Sequence, residues 1–114
     1  MQETLKMIVN AIEAKLGRDT RVIDISAVSS IADYFVITSG SNDRQVQAIS
    51  DNIQEVLGRA GIYARSTEGY AGASWVLLDY NDVIIHVFSE EDRSFYDLER
   101  IWRDGKVVDI DTLK

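Results

Sequence analysis

Residues 75 to 88 read Trp75-Val76-Leu77-Leu78-Asp79-Tyr80, then Asn81-Asp82, then Val83-Ile84-Ile85-His86-Val87-Phe88. Two apolar, β-branched runs on either side of two turn-forming residues predict an antiparallel hairpin, because Asn and Asp tolerate the positive φ of a tight turn. The turn fixes the register: Tyr80 opposite Val83, Asp79 opposite Ile84, Leu78 opposite Ile85, Leu77 opposite His86, Val76 opposite Val87 and Trp75 opposite Phe88. Alternation then separates two faces. Val76, Leu78, Tyr80, Val83, Ile85 and Val87 make an almost wholly apolar one, suited to packing under helices. Trp75, Leu77, Asp79, Ile84, His86 and Phe88 make the other, on which a carboxylate, the only histidine of the chain and an indole N–H all want polar partners. Either this second face stays partly open, or a further helical layer covers it and Asp79 and His86 are satisfied internally.

The flanking segments supply the layers. Leu5, Ile8, Ile12 and Leu16 recur at helical spacing up to Gly17, so residues 1–16 predict a surface helix with one buried stripe. Residues 21–25 and 34–38 are β-branched or aromatic runs that predict strands, joined by a connection rich in Ser and Ala. A turn with several possible helix caps follows at residues 39–43, and Val46, Ile49, Ile53, Val56, Leu57 and Ala60 mark a second helix closed by Gly61. Residues 62–67 suit an edge strand, and residues 68–74, with Gly69 and Gly72, read as a mobile loop.

Beyond the hairpin, Ser89 with Asp92 three positions later resembles a capping box. It opens a helix whose inner stripe is Phe95, Leu98, Ile101 and Trp102 and which Asp104-Gly105 stops. Val107 and Val108 suit a brief extended segment, and the last residues are expected to fray. The element order predicts an α+β fold: a mixed sheet of about five strands with helices mainly on one face, in a single domain over residues 1–114.

Composition narrows the chemistry. The chain has no cysteine, which removes disulfides, thiolate metal sites and cysteine nucleophiles. No apolar run approaches a membrane span and no signal peptide is evident, so a cytoplasmic protein is expected. Nineteen acidic against twelve basic side chains give a net charge of −7, with the cations scattered. Such a surface disfavours nucleic acid and favours encounter with a basic partner.

Three motifs invite catalytic readings. Ser39-Gly40-Ser41 before a helix could cradle a phosphate, but it lacks the spaced glycines and Lys of a Walker loop, and a helix cap needs the same small residues. Asp109-Ile110-Asp111 has the spacing of a metal-holding carboxylate pair, yet it falls in the tail, far from Gly40. His86 is the only candidate imidazole base, and no motif places a nucleophile beside it. A nucleotide-binding or nucleotidyltransferase-type enzyme is therefore the alternative, with no cofactor or metal expected on the main reading.

Several separated blocks agree in order with one family. Residues 29–40 (Ser29-Ser30-Ile31-Ala32-Asp33-Tyr34-Phe35-Val36-Ile37-Thr38-Ser39-Gly40), Asp43-Arg44-Gln45-Val46, Trp75 to Tyr80, Val83 to Phe88 and Phe95-Tyr96-Asp97-Leu98-Glu99 resemble the Iojap family, the ribosomal silencing factors. Asn81 stands where that family usually has Gly. The resemblance implies a fold related to nucleotidyltransferases without their active-site carboxylates. It also implies a non-enzymatic translational repressor that binds the large ribosomal subunit through its protein fourteen. Bound there, it blocks joining of the small subunit when nutrients are limiting, with a role in large-subunit assembly and a homodimeric state as further implications. Combined with the hairpin, it points to Trp75, Leu77, Asp79, Tyr80 and His86, joined by Tyr96 and Asp97, as the protein-binding surface.

Overall fold

The computed structural model describes residues 1–96 and 103–113, with the backbone alone at 94–96. Helix α1 (Gln2–Ala14) leads into strand β1 (Arg18–Asp24), β2 (Tyr34–Gly40), helix α2 (Asp43–Arg59), β3 (Ser66–Glu68), β4 (Trp75–Asp79) and β5 (Val83–Ser89). Helix α3 (Glu90–Tyr96), strand β6 (Lys106–Val108) and a 3₁₀ turn (Ile110–Thr112) follow. The mixed sheet has six strands in the order β3-β4-β5-β2-β1-β6, with β2 and β5 parallel and the other pairs antiparallel. The expected count was about five. The extra strand is the brief extended segment around Val107, which gains ladder status by pairing Val22 with Val108 and Ile23 with Val107.

Helices α1 and α2 lie on one face. Leu5, Ile8, Val9 and Ile12 of α1 and Val46, Ile49, Ile53 and Leu57 of α2 pack on Val22, Val36, Val76, Leu78, Val83, Ile85 and Val87 of the sheet. Every one of these side chains is essentially removed from water, and at roughly 1.5–3 kcal/mol for each large aliphatic side chain this layer is the principal source of stability. Leu16, expected in the stripe, is instead 75% exposed. The helix ends earlier than its periodicity suggests: Leu16 takes a left-handed φ of 61°, and Gly17 N–H bonds back to Ile12 O at 3.0 Å.

The junction of β2 and α2 is compact. A Cβ on Gly40 would stand 3.0 Å from Val46 N and 3.1 Å from its Cγ2, so a glycine lets the strand end against the helix start. Asn42 caps α2, its Oδ1 accepting from Gln45 N–H at 2.9 Å. Gln45 Oε1 in return accepts from Ser41 N–H and Oγ–H at 2.6 and 2.7 Å, a reciprocal arrangement of the capping-box type. The Gln45 amide also donates to Lys15 O and Leu16 O, both at 3.1 Å, so one side chain ties the end of α1 to the start of α2.

Two expectations about irregular segments are corrected. Residues 69–74 are held in place: Gln47 Nε2 donates to Tyr70 O at 3.0 Å, Tyr70 Oη donates to Asp51 Oδ2 at 2.9 Å, and Ala73 is buried. Gly69 turns this loop at φ 79°, where a Cβ would collide with Trp75 O at 2.1 Å. The described end of the tail is likewise bonded and packed. Asp109 Oδ1 caps the 3₁₀ turn by accepting from Asp111 N–H at 3.0 Å, and Leu113 is buried in the cluster that contains α1. Capping thus employs the Asp109 carboxylate of the Asp109-Ile110-Asp111 motif.

Candidate functional site

The hairpin of β4 and β5 has the expected register from Trp75 opposite Phe88 to Asp79 opposite Ile84. Tyr80 N–H bonds to Val83 O at 2.9 Å, and Asn81 takes φ 74°, the left-handed conformation that its short amide side chain tolerates. The face away from α1 and α2 carries a second apolar cluster of Ile23, Ile25, Ala32, Phe35, Ile37, Ile84 and Phe88, with Trp75 and Leu77 partly buried against it.

This face is less open than alternation suggests. Phe35, Ile37, Ile84, His86 and Phe88 are all buried, and this face meets water at its two edges: the β4 flank, where Trp75, Leu77 and Asp79 are half-buried, and the β1–β6 edge, where Arg21 and Val107 are exposed. Part of the cover comes from the connection between β1 and β2. Ile25 N–H bonds to Asp33 O and Asp33 N–H to Asp82 O, which brings Ile25 and Ala32 onto the cluster and leaves Val28 and Ile31 exposed. The Ser- and Ala-rich composition of that connection gave no hint of a packing role.

Trp75 sits where β4 outruns its edge neighbour. The last pair of the β3 ladder joins Glu68 to Leu77, so Trp75 has no β3 partner. Its indole stacks on Phe88, with centroids 5.0 Å apart and planes at 28°. Its Nε1–H donates to His86 Nδ1 at 3.1 Å. His86 lies between Ile37 and Leu77 in the ladder, with its ring edge-on to Phe35 at 4.6 Å and 68°. Burial pushes the imidazole down to about 4, so at neutral pH it is uncharged and able to accept at Nδ1. The proton then sits on Nε2, which is buried and has no hydrogen-bond partner among the described residues.

The other expected contact residues divide. Asp79 is on the right flank but is already engaged: Arg65 Nη2 donates to Oδ2 at 2.7 Å and Asn81 N–H to Oδ1 at 2.8 Å. Partial burial alone would raise this carboxyl, but those two hydrogen bonds and the guanidinium charge outweigh it and hold it below the usual value. Arg65, placed by the bond from its N–H to Asp79 O, was not foreseen as part of the site. Tyr80 packs on the opposite face with the α1–α2 layer, where burial raises its phenol. His86 is on the expected face but 4% exposed, so it offers no contact surface of its own. Tyr96 is the last described residue of α3, and Asp97 lies outside the described residues, as do Leu98, Ile101 and Trp102 of the expected inner stripe.

A second concavity, of about 630 Å³, opens at the carboxyl ends of the parallel pair β2 and β5, lined by Ser41, Asn42, Asp43, Arg44, Ser89, Glu90 and Glu91. Open α/β sheets often bind ligands at this end of parallel strands. Here the lining brings three carboxylates against one guanidinium, which opposes a phosphate, and the Asn42 side chain is spent on capping α2.

Comparison with known proteins places the chain beside one family. The model of the family described as "Ribosomal silencing factor during starvation" matches residues 1–114. The chain is 40% identical over 107 residues to the ribosomal silencing factor RsfS of Bacillus subtilis, covering 94% of this chain and 91% of that one. It is 28% identical over 102 residues to the mouse protein named mitochondrial assembly of ribosomal large subunit protein 1, covering 86% of this chain and 44% of that longer one. A crystal structure of a Chromobacterium violaceum protein superposes with a TM-score of 0.87 at 33% identity, covering 90% of this chain and 85% of that one.

Proposed function

Since the chain belongs to the ribosomal silencing factor family, we propose that it lowers translation by occupying a protein surface of the large ribosomal subunit, that of its protein fourteen, where the small subunit would join. The repression acts by occupancy, in the cytoplasm and under nutrient limitation, and involves no bond-making step. The observation that carries this reading is the half-buried Trp75–Leu77 flank, an aromatic and an aliphatic side chain displayed at the rim of a face whose centre is buried. Aromatic anchors of this kind dominate the energetics of protein interfaces because they bring a large area at a small entropy cost. The similarity to a mitochondrial large-subunit assembly protein supports the choice of subunit.

Two assays test it. Purified subunits are mixed with and without the protein and sedimented; the protein is expected to lower the yield of joined ribosomes, and equal yields reject the function. Trp75→Ala is expected to weaken binding to large subunits by about 2 kcal/mol or more while the circular dichroism spectrum is retained. Unchanged affinity removes Trp75 from the contact. The acidic cleft between the starts of α2 and α3 gives the nucleotide-binding alternative little support, and calorimetric titration with a nucleotide and Mg²⁺ is expected to give no heat.

A further inference from the structure

We propose that His86 is the positioning residue of this surface: its buried Nδ1 fixes the indole of Trp75 in the orientation that a partner meets. The inference rests on the reading of the Trp75–Leu77 flank as the contact. The indole has one polar atom, and that atom donates to His86 at 3.1 Å. One face of the ring is set by Phe88, but a stacking contact is weakly directional and leaves some freedom about χ1 and χ2. The bond to Nδ1 removes that freedom. His86 is itself immobilised by Phe35 edge-on at 4.6 Å, by Phe88 nearly parallel at 6.2 Å, and by the β2 and β4 ladders on either side.

The unpartnered nitrogen shows that packing alone does not explain this histidine. Its Nε2 carries a buried proton with no acceptor among the described residues, a destabilising feature that Leu or Phe at the same place would avoid. An imidazole in an otherwise apolar layer is accounted for by what its other nitrogen does, and that nitrogen serves Trp75. A rigid anchor loses little entropy on docking, whereas a swivelling indole would have to be ordered by the partner.

The test uses the full chain, isolated bacterial large ribosomal subunits, and ¹⁵N-labelled tryptophan, with the Trp75 indole resonance assigned as the one that Trp75→Phe removes. His86→Leu deletes the acceptor, His86→Asn keeps one close to the Nδ1 position, and His86→Gln moves it toward Nε2. In His86→Leu the Trp75 indole proton is expected to exchange rapidly with solvent and affinity for subunits to fall about tenfold. His86→Asn is expected to restore both. In a Trp75→Phe background, His86→Leu is expected to cause no further loss of affinity.

An indole signal untouched by His86→Leu, or a loss of affinity that persists undiminished without the indole donor, overturns the proposal. If His86→Leu does not fold, the Asn and Gln variants decide: slow exchange and tight binding in Asn but not in Gln support it, and equal behaviour refutes it. Wild-type protein that fails to bind large subunits overturns the surface reading and the positioning role with it. The indole exchange rates still report separately on the hydrogen bond.

Discussion

His86 also couples the sheet to proton concentration. Its pKa falls from an unfolded value of 6.5 to about 4 in the folded chain, because burial penalises the charged ring. Between those values the unfolded chain holds a proton that the folded chain does not, so stability is full above pH 6.5 and is lost as pH falls toward 4. The drop corresponds to about 3 kcal/mol. Urea unfolding at pH 7.5 and pH 4.5 is expected to show most of this loss in the wild type. His86→Phe is expected to lack that component; an identical pH dependence in both would show that other groups cause it. Asp79 acts in the same direction at lower pH, since its depressed carboxyl stabilises the fold until it is protonated. At this scale the sequence placed Trp75, Leu77, Asp79 and His86 on one face, because strand alternation is local. It could not show that His86 is sealed or that Asp79 is paired to Arg65, since both follow from packing and from a β3 pairing that only the fold creates.

Among the elements, those readable in advance were the ones whose signals are contained in a dozen residues: α1, α2, the hairpin and its turn, and the start of α3, where Ser89 Oγ accepts from Asp92 N–H at 3.3 Å. The elements whose place was not legible are those that exist through distant contacts. β6 is a strand because β1, some eighty positions earlier, offers it a ladder, and the 3₁₀ turn is ordered because Leu113 finds a place beside α1. Leu113→Ala is therefore expected to cost about 2–4 kcal/mol in urea unfolding, as for other large-to-small changes in a core. A fraying tail would give no measurable change. The loop at residues 69–74 misled for a similar reason: its glycines suggest freedom, but its bonds to Gln47 and Asp51 of α2 remove it.

For the whole molecule, the proposed recognition divides between charge and shape. The net charge of −7 favours encounter with a basic partner from a distance, and in the proposed complex the Trp75–Leu77 flank provides the short-range contact. Asp79, already neutralised by Arg65, adds little to selection at the contact itself. Association with large subunits, followed by rapid mixing, is expected to slow about tenfold between about 50 and 500 mM salt, with a much smaller change in dissociation. A dissociation rate that rises as steeply would place charge pairs inside the contact.

The position of β6 has a consequence for synthesis. Strand β1 receives its outer neighbour from a segment some eighty positions later, so until residues 106–108 have been made β1 keeps a bare margin of unpaired amides and carbonyls, the kind of edge on which chains aggregate. Pairing of Lys106–Val108 along β1 covers that margin, so a strand of only 3 residues also guards a seam of the sheet.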